Sequence, residues 1–364
     1  MSVFITFILP TYNEEKNIIL LIKEILILNK KYQIEIIVVD DNSNDKTQSL
    51  VREFSRNDRR IRLINRIGRY GLSSAICEGC LNSTGDVIVV MDSDGQHEVN
   101  SVYQSILCLL NSDNDLIIGS RFAKGSSISG LSKKRKSGSS LANSLAKFTL
   151  HRNYENISDF MSGCFVFKRN RCLCYLKKID VNGFKFLYEL LSISNGKLKI
   201  DELPLNFKPR KFGYSKLDYA VIWDFFVSAF HTLIKRIIPR KAISFGFVGA
   251  TGILVHLFVV YFLLAITKLS FIQVLPFAGV SAASSNFLIN NLLTFRNNRL
   301  KGINLFIGLL KFLLVSSIPL LANVGLASSF YQYITPNKFL SQMAGIIVVF
   351  IWNYAASSKF VWKD

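Results

Sequence analysis

No cysteine occurs after Cys174, and no second Cys/His pair stands at zinc spacing from Cys77-x-x-Cys80. That pair lies in "GLSSAICEGCLNSTGD", which has the character of a helix. The six cysteines (Cys77, Cys80, Cys108, Cys164, Cys172, Cys174) are therefore read as reduced, packed thiols, which fits the reducing side of a membrane. Acidic residues are scarce, with 25 Asp and Glu against 44 Lys and Arg and a net charge of +19. Such an excess suits nucleic acid, anionic headgroups or phosphorylated substrates. No internal repeat, low-complexity tract or glycine-rich phosphate loop stands out. "MSVFITFILPTYNEE" has no basic n-region and no small-residue cleavage site, so it is read as a first strand and not as a signal peptide.

Charge of either sign is absent from four long runs: 243–266, 271–295, 312–334 and 339–358. Each has about 20 residues or more, enough for a helix to cross a hydrocarbon core of about 30 Å. The mean hydropathy of +0.30 and the 29 phenylalanines agree with a chain partly in a membrane. This decides between the partners that the basic charge suits: membrane and phosphate, not nucleic acid. Arg236, Arg240 and Lys241 precede the first run, Arg296, Arg299 and Lys301 separate the second and third, and Lys359 and Lys363 follow the fourth. The opposite loops carry Lys268 and Lys338. That bias predicts four spans with both ends, and the first half of the chain, on the cytoplasmic side. Lys311 can snorkel at the start of the third span. The stretch 217–241, with aromatics and a basic end, is expected to form interfacial amphipathic helices; an ordinary docking helix is the alternative.

Residues 1–212 alternate strand and helix patterns. Expected strands are 3–10, 34–41, 61–66, 86–92 and 115–121; expected helices are 13–29, 45–56, 71–83 and 99–111. The alternation predicts a mostly parallel, Rossmann-like α/β sheet. Ligands of such sheets bind beyond the carboxyl ends of the strands. Thr11, Asn13, Glu14, Asp40, Asp41, Asp92, Asp94 and Arg121 all fall there.

"VVMDSDGQHE" (89–98) contains a D-x-D-x-Q pattern after a buried strand. Carboxylates and an amide oxygen are hard ligands suited to Mg²⁺ or Mn²⁺, which keep positions open for substrate phosphates. Alone the pattern fits a solvated turn as well. Beside "LPTYNEE" (9–15) and "VVDDNSND" (38–45) it describes a nucleotide site, with Asp40 or Asp41 accepting from base or ribose. His97 is placed in a second layer or at the surface, and Glu189 in a structural role.

"PTYNE", "VVDDNSNDKT", "GLSSAICEG", "DSDGQH", "DLIIGSRF", "MSGCFVFKR" and "RKFGYSKL" resemble, in order over residues 5–217, the motifs of the polyprenyl-phosphate (dolichol-phosphate) mannose synthases. These are inverting family 2 glycosyltransferases with a GT-A fold. "FGFVGATGILVH" and "SNFLINNLLTFR" resemble the GtrA-like four-helix membrane module. The resemblance implies a GT-A domain at 1–216, interfacial helices at 217–241 and a four-helix transmembrane domain at 242–364. It implies that Pro10, Tyr12 and Glu14, with Asp40 or Asp41 and Asp92, line the donor nucleotide. Asp92, Asp94 and Gln96 match its metal ligands, for Mg²⁺ or Mn²⁺, and Asp94 and Arg121 its catalytic centre. Arg121, Arg135, Ser139, Arg210 and Lys216 match groups on the acceptor phosphate, with Arg135 and Ser139 in a loop. The implied partners are a nucleotide sugar, GDP-mannose first and UDP-glucose or another UDP-sugar second, a polyprenyl phosphate and the membrane; a homo-oligomer is compatible. A different class of function, a lipid-carrier translocase or scaffold with a degenerate transferase domain, is weakened by the intact motifs. Two departures stand out: relatives often have Leu where Gly95 stands, which predicts a looser loop, and prolines where Glu98 and Val99 stand.

Overall fold

The computed structural model describes residues 3–28, 32–68, 71–127, 133–180, 185–209, 219–334 and 337–363. The chain divides into two compact units, Met1–Leu233 and Ile234–Asp364. The boundary falls inside the stretch 217–241.

The first unit begins β1 (Phe4–Thr11), α1 (Ile18–Leu28), β2 (Gln33–Asp40), α2 (Thr47–Asn57), β3 (Ile61–Asn65), α3 (Leu72–Leu81), β4 (Val87–Val90), α4 (Val99–Asn111) and β5 (Leu116–Ser120). It continues α5 (Lys133–Thr149), β6 (Phe165–Lys168), α6 (Arg169–Leu176), α7 (Phe186–Ser194), β7 (Ile200–Pro204) and α8 (Tyr219–Leu233). The sheet order is β3-β2-β1-β4-β6-β5-β7. All pairs are parallel except those of β6, which runs antiparallel to β4 and β5. This is the expected mostly parallel sheet. Its middle strands are near-continuous Ile/Val/Phe because both faces are covered. Ile8, Ile37, Val39, Ile88 and Val90 face one core with α3 and α7; Phe7, Leu9, Ile36, Val38, Val87 and Val89 face the other with α1 and α4.

Register places the site. Thr11 of β1 lies opposite Asp40 of β2, and Asp40 lies opposite Asn65 of β3. The loops after these strands therefore leave the sheet at one level, and Met91, after β4, donates its N–H to the Ile8 carbonyl at 3.3 Å. α1 starts at Ile18, five residues later than the apolar spacing predicts. Residues 13–15 instead lace onto the next loop: Asn13 has φ +54°, its N–H donates to Ser43 Oγ at 2.8 Å, and its Oδ1 accepts from the Asn44 N–H at 2.9 Å. The basic run 133–136, expected in a loop, forms the first turn of α5.

α8 docks by one face and leaves another bare. Ser228 and Thr232 hydrogen-bond Glu189 and Ser192 of α7, and Phe225 meets Tyr188 edge-on at 5.2 Å. Glu189 is thereby buried in a structural role. Ile222, Phe226, Phe230 and Leu233 remain exposed, as do Leu141 and Phe148 of α5, which packs against α8. The cysteines are free thiols; Cys77, Cys80, Cys164 and Cys172 are packed as expected, with burial pushing the Cys77 and Cys80 thiols up, whereas Cys108 is half-buried and Cys174 is exposed.

The second unit is helical: α9 (Arg240–Ile266), α10 (Phe271–Leu292), α11 (Ile303–Tyr333) and α12 (Lys338–Ala356), closed by a π-helical turn to Trp362. Among the described residues three helices are long and apolar enough to cross a membrane: Arg240–Ile266, Phe271–Leu292 and Met343–Trp362. The third expected span falls within α11, which begins nine residues before it and takes Lys311 into the helix. Aromatic packing closes the unit, with Trp362 stacked on Phe295 at 4.2 Å and its Nε1–H donated to Asn291 Oδ1 at 3.0 Å.

Candidate active site

The carboxyl edge of the sheet gathers three loops. Ser93, between the two aspartates, donates to the Pro10 carbonyl at 2.9 Å and lies 2.9 Å from Thr11 Oγ1. The D-x-D loop is therefore tied to the end of β1. Pro10 is buried, and Tyr12 and Glu14 are half-buried at the same edge. Glu14 Oε2 accepts from Asn17 Nδ2 at 2.8 Å, and the Glu14 N–H donates to Thr47 Oγ1 at 2.9 Å.

The two aspartates after β2 play different parts. Asp40 is fully buried and holds its own turn, accepting from the Ser43 N–H at 2.9 Å, Ser43 Oγ at 2.5 Å and Gln48 Nε2 at 2.7 Å. Asp41 reaches the next loop. It pairs with buried Arg66 at 2.6 Å and accepts from the Gly71 N–H at 2.9 Å. Arg66 in turn pairs with Glu78 at 2.9 Å.

Asp94, Gln96 and His97 are buried and Asp92 is partly so. Asp94 Oδ1 accepts from the Gln96 N–H at 3.1 Å. Gln96 Nε2 donates to the Lys208 carbonyl at 3.0 Å, which leaves its Oε1 as the face turned from that bond. Burial raises the Asp92 carboxyl and neighbouring Asp94 adds to the rise, while His97, Lys185 and Arg121 oppose it. A cation relieves that repulsion. Asp92 also has a fitted cradle: a Cβ on Gly163 would lie 2.3 Å from its Oδ2, so any side chain there displaces the carboxylate. Among the described residues no cluster of three or more His, Cys, Asp or Glu stands ready for a metal. The two carboxylates and the Gln96 amide are the oxygen groups that could hold a divalent cation, a hard set suited to Mg²⁺ or Mn²⁺. His97 is buried beside the loop, accepting the Asp92 N–H at Nδ1 (3.3 Å) and packing on Phe207.

The loop turns at Gly95. Its φ of +70° lies in the left-handed region, where glycine carries no strain. Ser93, Gln96 and Glu98 each tie the loop to other segments.

Arg121 follows β5 and is mostly buried. Asp159, which the sequence alone did not single out, holds it. Arg121 Nε and Nη2 donate to the two Asp159 oxygens at 2.7 and 2.8 Å, and the Arg121 N–H donates to Oδ2 at 3.0 Å. Burial works against the Arg121 charge, but Asp159, helped by Asp92, leaves its pKa raised. Asp159 stands four residues before Gly163 in "DFMSG", so one short segment positions both Arg121 and Asp92.

Ser139 is half-buried in α5. The Arg135 side chain, Arg210 and Lys216 lie outside the described residues.

The sequence patterns of known families agree with this division. Glycosyl transferase family 2 matches residues 6–174, and the GtrA/DPMS transmembrane domain matches residues 244–362. A polyprenol monophosphomannose synthase of Mycolicibacterium smegmatis is 31% identical over 221 residues, 58% of this chain and 79% of that protein. A dolichol-phosphate mannosyltransferase of Mycosarcoma maydis is 31% identical over 62% of this chain and 72% of that protein. The chain belongs to the dolichol-phosphate mannosyltransferase family. A further member, from Pyrococcus furiosus, is 29% identical over 360 residues, 98% of this chain and 99% of its own length. Among solved structures, glucosyl-3-phosphoglycerate synthase from Mycobacterium tuberculosis is similar at 20% identity, with a TM-score of 0.48, over 65% of this chain and 81% of that one. In this mannosyltransferase family member the carboxylate loop and Arg121, which follow β4 and β5 at one sheet edge, both lie within the family 2 match.

Proposed function

We propose that the chain transfers mannose from GDP-mannose to the phosphate of a membrane polyprenol, inverting the anomeric centre to give a β-linked polyprenyl-phosphate mannose. The observation that carries this reading is the meeting, at one sheet edge, of an oxygen-ligand loop and a buried, carboxylate-held arginine, in a chain whose relatives are named for that product.

The nucleophile is an acceptor phosphate oxygen. With a second pKa of about 6, as in phosphomonoesters, it is already ionised at pH 7, so no strong base is needed. It bonds to the anomeric carbon as the bond from that carbon to the diphosphate oxygen breaks, and the diphosphate leaves with the electron pair. The obstacle is charge, since one anion approaches another. Asp92, Asp94 and the Gln96 oxygen would hold Mg²⁺ or Mn²⁺, which supplies charge neutralisation for the diphosphate. Arg121 screens the acceptor phosphate, and its rigid fork on Asp159 fixes its direction. Arg135, Ser139, Arg210 and Lys216 are assigned to the same phosphate by their motifs. The nucleotide contact is assigned to the Asp40–Asp41 pair, of which Asp40 holds its own turn and Asp41 pairs with Arg66 and the Gly71 N–H. Catalysis is then positioning and electrostatic stabilisation.

The exposed apolar faces of α5 and α8 suit the headgroup boundary of a membrane, which would bring a lipid phosphate to the site. Four spans, with the first unit on the cytoplasmic side, follow from the basic loops. The test offers the full chain, purified in detergent with Mn²⁺ and polyprenyl phosphate, GDP-mannose, UDP-glucose or UDP-GlcNAc. Lipid-linked hexose is expected from GDP-mannose. Transfer from a UDP-sugar instead would replace the donor assignment. No transfer from any donor by folded protein would leave the translocase or scaffold reading.

A further inference from the structure

On the proposed reading the oxygen-ligand loop serves the donor diphosphate and Arg121 the acceptor phosphate, yet they stand on strands that are not neighbours. β6 lies between β4 and β5, so their ends are two strand spacings apart, about 9–10 Å. Residues 205–208, which follow β7, bridge that gap. On one side the Lys208 N–H donates to the Gln96 carbonyl at 2.9 Å, and the Lys208 carbonyl accepts from Gln96 Nε2. His97 pairs with Phe207 in an antiparallel bridge, their rings 5.6 Å apart. On the other side the Leu205 N–H donates to the Ser120 carbonyl at 2.8 Å, and the Arg121 guanidinium lies 5.8 Å from the Phe207 ring.

Glu98 fastens the metal-loop end of this brace. Its Oε2 accepts from Asn206 Nδ2 at 2.8 Å and from Ser101 Oγ at 3.2 Å, and its Oε1 lies 3.3 Å from Lys208 Nζ. The Lys208 side chain is 48% exposed, so that ion pair adds little by itself. The bond from Asn206 is the directional one, since an ionised acceptor strengthens and shortens it.

We propose that Glu98 is a positioning residue: through Asn206 it holds the 205–208 brace against Gln96, and so sets the oxygen ligands in register with Arg121. The proposal rests on the reading that Asp92, Asp94 and Gln96 take a divalent cation.

The test measures Mn²⁺ binding to the full chain in detergent with GDP, from the electron paramagnetic resonance signal of free Mn²⁺, beside thermal melting. Glu98→Ala and Asn206→Ala should each weaken Mn²⁺ binding by about three- to tenfold, the scale of one partly exposed charge-assisted hydrogen bond. The double variant should be no worse than either single one, because both remove the same bond. Glu98→Gln, which keeps an oxygen for Asn206, should recover most of the affinity. Unchanged Mn²⁺ binding in Glu98→Ala, or additive losses in the double variant, would overturn the proposal. So would a lower melting temperature with unaltered binding. If the unaltered chain binds no Mn²⁺ with GDP, the cation reading fails instead, which separates the two claims.

Discussion

Asp94→Ala is expected to lower hexose transfer by about 10²–10³-fold or more, the scale lost when one preorganised electrostatic group is removed from a site of charge development. Asp94 does two things. It is one of two carboxylates among the proposed oxygen ligands, and its Oδ1 accepts the Gln96 N–H, which shapes the loop that presents the third. Asp94→Asn separates these roles, because an amide oxygen can still accept that N–H while the charge is gone. It should be nearly as inactive as the alanine variant. Folding should survive both, since removing one of two adjacent buried carboxylates relieves repulsion when no cation is bound. The sharper readout is therefore the response of melting to Mn²⁺. A site-bound ion at about 100 times its dissociation constant stabilises the folded state by about 2.7 kcal/mol. The unaltered chain should gain that stabilisation and both variants should lose it. Transfer above half the original rate in Asp94→Ala would remove Asp94 from the mechanism.

The second large effect is expected at Asp159. Its side chain is fully buried, both oxygens are engaged by Arg121, and Oδ1 also accepts the Met161 N–H at 3.2 Å. Asp159→Ala strands the arginine without its partner, a change that costs about 3–5 kcal/mol in a buried pair. Both melting temperature and transfer should fall. Adding Arg121→Ala should restore part of the stability and none of the activity, which distinguishes a stranded charge from general damage. The pH dependence has a defined sign. Burial pushes Asp159 up, but Arg121's hydrogen bonds and charge outweigh it and hold the carboxyl below its ordinary value. A carboxyl lower in the folded than in the unfolded state contributes stability that is complete above its unfolded value, about 3.9, and is lost as pH falls through the folded one. The unaltered chain and Asp159→Asn should therefore differ in melting at neutral pH and converge in acid. A constant difference down to about pH 2 would contradict this.

The sheet edge was legible from local signals. Apolar runs ending in "PTYN", "VVDD" and "MDSD" place their polar residues at strand ends whatever the helices do between them. The start of α1 was not, because Asn13 and Glu15 bond to the loop after β2 in preference to continuing a helix. Asp159 was invisible for the same kind of reason. Its partner is 38 residues away, and nothing in local spacing announces a pairing across β5 and the segment before β6. Gly163 appeared only inside a quoted motif; its meaning came from the 2.3 Å that a Cβ would leave to Asp92. The partner of Glu98, Asn206, stands 108 residues on, out of reach of any local spacing.

The most direct measurement is the anomeric configuration of the lipid product. The full chain, with Mn²⁺, GDP-mannose labelled with ¹³C at the anomeric carbon and polyprenyl phosphate, should give one product whose one-bond carbon–hydrogen coupling marks a β-linked mannosyl phosphate. Its formation should stop on chelation of the metal. An α-linked product, or β-linked product formed at the same rate with the metal chelated, would contradict direct displacement at a cation-held diphosphate.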